Sequence, residues 1–122
     1  MDDVIKWDTI RQADIWLDST VSPIYQEQPL AQDWARVAKM TEEIGEAIAE
    51  LIGFTGQNPR KPKTNNGEPD AMLLEIADAV ITGILGIQHF TKDEWTTQMI
   101  LRSAISKLES RIPIVFKNRG LE

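Results

Sequence analysis

The chain contains no cysteine. Disulfides and thiolate metal sites are thereby excluded, and the redox compartment leaves no mark in the sequence. There is one histidine, His89, and no glutamate stands three positions before it. A di-iron carboxylate bundle, which needs two Glu-x-x-His pairs, is ruled out on that count. Positive charge is scarce as well: 13 lysines and arginines against 19 aspartates and glutamates leave a formal net charge of −6. A broad basic face for a nucleic-acid polymer is therefore not expected. No Gly-rich turn followed by Lys-Ser/Thr marks a P-loop. The N-terminus, MDDVIKWDTI, lacks the basic-then-apolar order of a signal peptide, and the apolar run after Asp78 is far shorter than the roughly 20 residues that cross a bilayer. A cytoplasmic protein with no membrane partner is the expectation.

What is present is a chain of 122 residues, 42% of them hydrophobic, which suits one domain over 1–122 with a modest core. Apolar spacing predicts four helices and nothing persuasive for a strand. The first covers roughly Val4 to Leu17 and carries Trp7, Ile10 and Trp16. The stretch STVSPIYQEQP reads as a loop, with Pro23 and Pro29 as breakers. The second helix begins near Leu30 and stops at Gly53. Its seam of Trp34, Val37, Thr41, Ile44, Ile48 and Leu51 advances by threes and fours, the stripe that packs in a bundle. A long loop, GFTGQNPRKPKTNNGEPD, follows, with a basic cluster at Arg60, Lys61 and Lys63 that suits a lid or a solvated surface equally. The third helix runs from about Pro69 to Phe90. Thr91 then reads as the cap of the fourth, with Glu94 completing a capping box, and Pro113 closes that helix before a tail. The fold class is all-α, a four-helix bundle. The third helix is apolar around its whole circumference, so a homodimer or homotetramer is expected to cover it.

That greasy helix nevertheless holds Glu75 and Asp78, one turn apart on one face, and from Ala71 to Phe90 they are the only charged residues. A carboxylate in an apolar setting must be protonated, paired with a base, or bound to a metal. On the second helix, Glu42, Glu43, Glu46 and Glu50 crowd together with no positive charge between Lys39 and Arg60. Taken alone they read as a solvated face, with Lys39 pairing Glu43 across one turn. If the two helices pack antiparallel, Glu43 and Glu46 meet Glu75 and Asp78, and cations must hold the cluster together. Oxygen ligands without histidine or cysteine select Mg²⁺ or Mn²⁺ over Zn²⁺.

Glu43-x-x-Glu46, 28 intervening residues and Glu75-x-x-Asp78 resemble the Glu-x-x-Glu…Glu-x-x-Asp signature of MazG-like nucleoside triphosphate pyrophosphohydrolases, in the all-α NTP pyrophosphatase superfamily. EEIGEAIAEL and LLEIADAVI look like its two motif helices. The resemblance implies Mg²⁺-dependent hydrolysis of a (d)NTP to the monophosphate and pyrophosphate, with nucleotide-pool house-cleaning as the role. Carried over, Glu43, Glu46, Glu75 and Asp78 are the metal ligands, and Glu42 and Glu46 are the carboxylates at the chemistry, Glu42 either as proton acceptor or as a support behind the ligands. Basic residues after the second motif, Lys107 and Arg111, with Lys117 and Arg119 beyond them, are candidate phosphate contacts or plain surface. Trp34, at the start of the motif helix, is a candidate to contact the nucleotide, although its place on the seam favours core packing; Trp16 is a further candidate. His89 is expected near a helix end, satisfied by backbone. dUTPase or phosphoribosyl-ATP pyrophosphohydrolase activity is the alternative within the same chemistry. A non-catalytic helical interaction module, its acids paired with Lys or Arg, is the alternative outside it.

Overall fold

A computed structural model describes residues 4–20 and 27–117. Four long helices account for most of them: α1 (Trp7–Thr20), α2 (Pro29–Thr55), α3 (Asp70–Thr91) and α4 (Glu94–Arg111), followed by a single turn, α5 (Ile114–Lys117). No strand occurs among the described residues, and none of their helices is long and apolar enough to cross a membrane. Pro23 and Arg119 lie outside the described residues.

Local chemistry explains where the helices begin and end, and corrects several sequence-based boundaries. The first helix lies three residues later than expected at each end. Pro29 does not break the chain but opens α2, where its fixed φ and missing N–H cost nothing. Gly53, expected as the stop, lies inside α2. A Cβ there would sit 2.5 Å from the Thr64 hydroxyl, so this glycine lets the following loop close against the helix. The stop is Gly56, left-handed at φ 71°, whose N–H returns to the Gly53 carbonyl. The loop is tied back by a bond from Thr64 N–H to Gly53 O (3.1 Å) and by a short 3-10 turn at Asn65–Gly67. The capping box at Thr91 is not formed. Thr91 is the last residue of α3, Lys92 makes the left-handed turn, and Asp93 caps α4 by accepting from Thr96 N–H at 2.9 Å. The turn uses up one residue, which moves the cap two places along. The Thr96 hydroxyl, which also donates to Asp93, and then the Thr96 N–H hold the Asp93 carboxyl below its ordinary pKa.

The centre of the molecule is the antiparallel pair α2–α3. Each step forward along α2 is matched by a step back along α3: Asp33 meets His89, Arg36 meets Gly86, Met40 meets Gly83, and Glu46 meets Glu75. The inner face of α2 is Asp33, Arg36, Met40, Glu43, Ala47, Glu50 and Phe54. The expected apolar seam is therefore turned outward by one residue, about 100°. Trp34 is 76% exposed, and Val37, Ile44, Ile48 and Leu51 are exposed with it. Small residues at the crossing, Ala47 on α2 and Gly83 and Gly86 on α3, allow close approach there. The bulkier stripe is left for another surface.

Among the described residues the buried apolar core is only Ile10, Ala47 and Ile84. α1 packs on α3, and α4 meets α3 near their hairpin, but from Arg102 onward every described residue is exposed. Four helices are present, yet one chain does not close them into a sealed bundle.

Candidate metal centre

Glu43 and Glu75 lie on the facing sides of α2 and α3, and Asp78 follows Glu75 by one turn. The antiparallel register brings one carboxylate oxygen of each within 4.8 Å of the others. Glu46, one turn beyond Glu43, stands beside Glu75. Three carboxylates thus converge from two helices, with a fourth next to them.

The only ion pair to the cluster from a described residue is at its Glu43 end, with Lys39. Among the described residues no lysine or arginine forms an ion pair with Glu75 or Asp78. Oε2 of Glu75 is buried and receives no hydrogen bond. Such an orphaned acceptor carries a desolvation penalty that a partner would remove. The Glu46 carboxyl is pushed above its ordinary pKa, first by the hydrogen bond it shares with Glu75, then by desolvation and by the charges of Glu75 and Glu42, against a smaller opposing pull from Lys39. Lys39 is the nearest cation, and it serves the rim: its Nζ is 2.8 Å from Glu42 and 3.7 Å from Glu43, whose side chain is 14% exposed. Glu42 is thus engaged in a surface pair and is not one of the three gathered carboxylates. Glu50 is bound by the Asn65 amide of the loop at 3.1 Å.

The donor set fits a hard divalent cation. It is all oxygen, drawn from two rigid helices, with an orphaned atom already desolvated. Glu43, Glu75 and Asp78 are the three residues in position to ligate, and Glu46 stands beside them.

The other candidates are dispersed. Lys107 and Arg111 are exposed on the outer half of α4, and neither forms an ion pair with a described residue. Trp34 lines a separate open cleft of about 350 Å³ with Leu30, Asp33, Val37 and Phe90. It is nine residues from Glu43, roughly 13 Å along the helix axis. Core packing, favoured for it from the seam, is overturned by its exposure. Arg60, Lys61 and Lys63 are exposed on the loop.

A second polar cluster escaped sequence reasoning. Asp14 is 3% exposed on α1 and is held by Arg36 at 2.7 Å and Lys92 at 2.9 Å. Asp18 bonds Lys92 at 2.6 Å, Arg36 at 3.1 Å and the Gln32 amide at 2.7 Å. Burial pushes the Asp18 carboxyl up, but the bonds and charges of Lys92 and Arg36 outweigh it and hold it below its ordinary value. Lys92 is raised, desolvation being overcome by Asp18 and Asp14. His89 is bound not to backbone but to the Asp33 carboxylate, 2.7 Å from Nε2, because the register puts the start of α2 beside the end of α3. Asp14, Asp18 and His89 have metal-ligand geometry too. Their oxygens are already occupied by two cationic side chains, so this network ties α1 to the α2–α3 pair. The one signal in the sequence was the i, i+4 spacing of Asp14 and Asp18 on an otherwise apolar stretch.

No family model matches the chain, and neither a curated protein nor a solved structure matches it.

Proposed function

We propose that the chain is a Mg²⁺-dependent nucleoside triphosphate pyrophosphohydrolase of the MazG-like kind, turning a (d)NTP and water into the monophosphate and pyrophosphate. One observation carries the reading: Glu43, Glu75 and Asp78 converge from two helices, with a buried, unbonded oxygen on Glu75. These are three of the four carboxylates in the motif pairs that resemble the family, Glu46 being the fourth. The interaction-module reading needs Glu75 and Asp78 either paired with Lys or Arg or protonated, and no described residue supplies such a pair.

Glu43, Glu75 and Asp78 would hold Mg²⁺, with Mn²⁺ as substitute. When bound, the ion supplies positive charge to the phosphate oxygens and acidifies water. The protein's own part is to orient and to accept a proton. The two helices fix the ligating carboxylates on rigid backbone, so little reorganisation accompanies binding. Glu46, beside Glu75 and outside the ligating trio, is the carboxylate available to take the proton of the water that attacks the α-phosphorus. Glu42, neutralised by Lys39, is the poorer base.

The outward stripe on α2 supports a homodimer or a larger assembly. Ile44, Ile48 and Leu51 flank the carboxylate helix and stay exposed in the single chain. In this reading Lys107 and Arg111 act as phosphate contacts only across such an assembly.

The test is a pyrophosphate-release screen over the canonical (d)NTPs with and without Mg²⁺. Pyrophosphate and a nucleoside monophosphate are the expected products. Orthophosphate and a diphosphate, in enzyme free of contaminating phosphatase, would overturn the mechanism.

A further inference from the structure

One turn along both helices from the carboxylates lies a cavity of about 460 Å³, walled by Trp16 and Leu17 of α1, Ala35 and Lys39 of α2, and Thr82 and Leu85 of α3. It shares its rim with the metal centre. Lys39 stands four residues before Glu43 and reaches its carboxylate, and Thr82 follows Asp78 by four. Each step is about 6 Å of helix. The walls are mostly apolar. Trp16 is 62% exposed, with its backbone pinned on both sides because Asp14 and Asp18 are anchored to α2 and α3.

The polar groups on the border limit what can enter. Arg36 is held by Asp14 and Asp18, and Lys39 by Glu42 and Glu43, so among the described residues no free cation lines the cavity for an anionic group. The Thr20 hydroxyl donates to Leu17 O. Gln32 donates its amide to Asp18. A carboxylate only accepts, so the amide orientation is settled, and Oε1 accepts from no described residue. The Thr82 hydroxyl has no bond to any described residue. The occupant that suits such a site is flat and apolar on its faces, with an edge that donates at least one hydrogen bond.

We propose that this cavity takes the base of the nucleotide, with Trp16 as the stacking surface and Gln32 Oε1 and the Thr82 hydroxyl reading an exocyclic amino group. The Thr82 hydroxyl can donate or accept, so Gln32 Oε1 discriminates: it accepts from the amino group of cytosine or adenine and repels the carbonyl oxygen that thymine or uracil offers there. The proposal rests on the pyrophosphohydrolase reading for the position of the phosphates at Glu43, Glu75 and Asp78. It moves base recognition from Trp34, two and a half turns from Glu43, to Trp16, whose cavity borders the metal centre within the span of one ribose.

Calorimetric titration of the full chain with deoxynucleoside 5′-monophosphates, and separately with Mg²⁺ and pyrophosphate, tests it. Trp16→Ala should weaken dCMP and dAMP binding about tenfold, the low end of base stacking on an aromatic side chain. Trp16→Phe should restore most of that loss, and pyrophosphate binding should be unchanged in both variants. Wild-type affinity should be higher for dCMP than for dTMP. Monophosphate affinity untouched by Trp16→Ala, or pyrophosphate affinity falling in step with it, overturns the assignment. Wild-type protein that binds pyrophosphate but no monophosphate overturns the base site alone. Wild-type protein that binds neither Mg²⁺ nor pyrophosphate overturns the hydrolase reading, while Trp16-dependent monophosphate binding would still uphold the cavity.

Discussion

Glu75→Gln separates a metal centre from a structural ion pair, because the two make opposite predictions for stability. Without metal, Glu75 sits within 4.8 Å of Glu43 and Asp78 with one oxygen unbonded. Two like charges at that distance repel by about 0.9 kcal/mol in bulk water and about 3.5 kcal/mol at an effective dielectric constant of 20. Asp78 is exposed, so the water-side limit is the better guide, and two such pairs come to about 2 kcal/mol. Glutamine removes that repulsion, and its amide can donate to either neighbour. The apo variant should therefore melt roughly 5–8 °C higher than wild type at low salt. The gain should shrink in about 1 M salt, where the screening length is about 3 Å. Saturating Mg²⁺ should invert the order: at a hundred times Kd it stabilises wild type by about 2.7 kcal/mol and leaves the variant nearly unmoved. Differential scanning calorimetry of both proteins, with EDTA and then with Mg²⁺, reads all of this. A clear fall in apo melting temperature would mean that a cation holds Glu75, and the metal-centre reasoning would be refuted.

Saturable Mg²⁺ or Mn²⁺ binding by calorimetry should weaken at least tenfold in Glu43→Gln and in Asp78→Asn; equal affinity in both variants would dissolve the ligand assignment. Asp14→Ala leaves the Arg36 guanidinium, 10% exposed, with Asp18 as its remaining anion, and should cost about 3 kcal/mol in chemical denaturation. Because the Asp18 carboxyl is depressed in the fold, its stabilisation is whole above its ordinary value of 3.8 and is lost as pH falls from there through the folded value. The stability curve of Asp18→Asn should accordingly be flatter than that of wild type in this acid range. Ile48→Glu on the outward stripe should shift sedimentation toward monomer, and wild type that already sediments as a monomer at micromolar concentration would count against assembly.

How far the sequence could be read depended on which features are local. Helical periodicity is set by backbone geometry, so Glu75 and Asp78 had to share a face wherever the helix docked, and Glu43 and Glu46 likewise. The absence of a nearby lysine or arginine on α3 was visible without coordinates. So was the all-α class, since proline, glycine and asparagine punctuate the helices within a few residues of their true ends. The errors were local chemistry misjudged. Thr91 and Asp93 both cap well, and the left-handed Lys92 between them chose Asp93.

Only the tertiary structure decided which stripe of α2 faces α3. Hydrophobicity ranked Trp34, Val37, Ile44, Ile48 and Leu51 as the inner face, yet the small residues at the crossing and the cross-helix partners of Asp33 and Arg36 rotate them outward. The ionic network is of the same kind. Asp14, Asp18, Arg36 and His89 come from three helices, Lys92 from the turn after α3, and they lie up to 78 positions apart, so no spacing rule could join them. The carboxylate pairs were legible because period alone fixes neighbours one turn apart. The α1 clamp and the cavity beside Trp16 were not, because they depend on rotation and register between helices, which the summed packing of many distant residues sets.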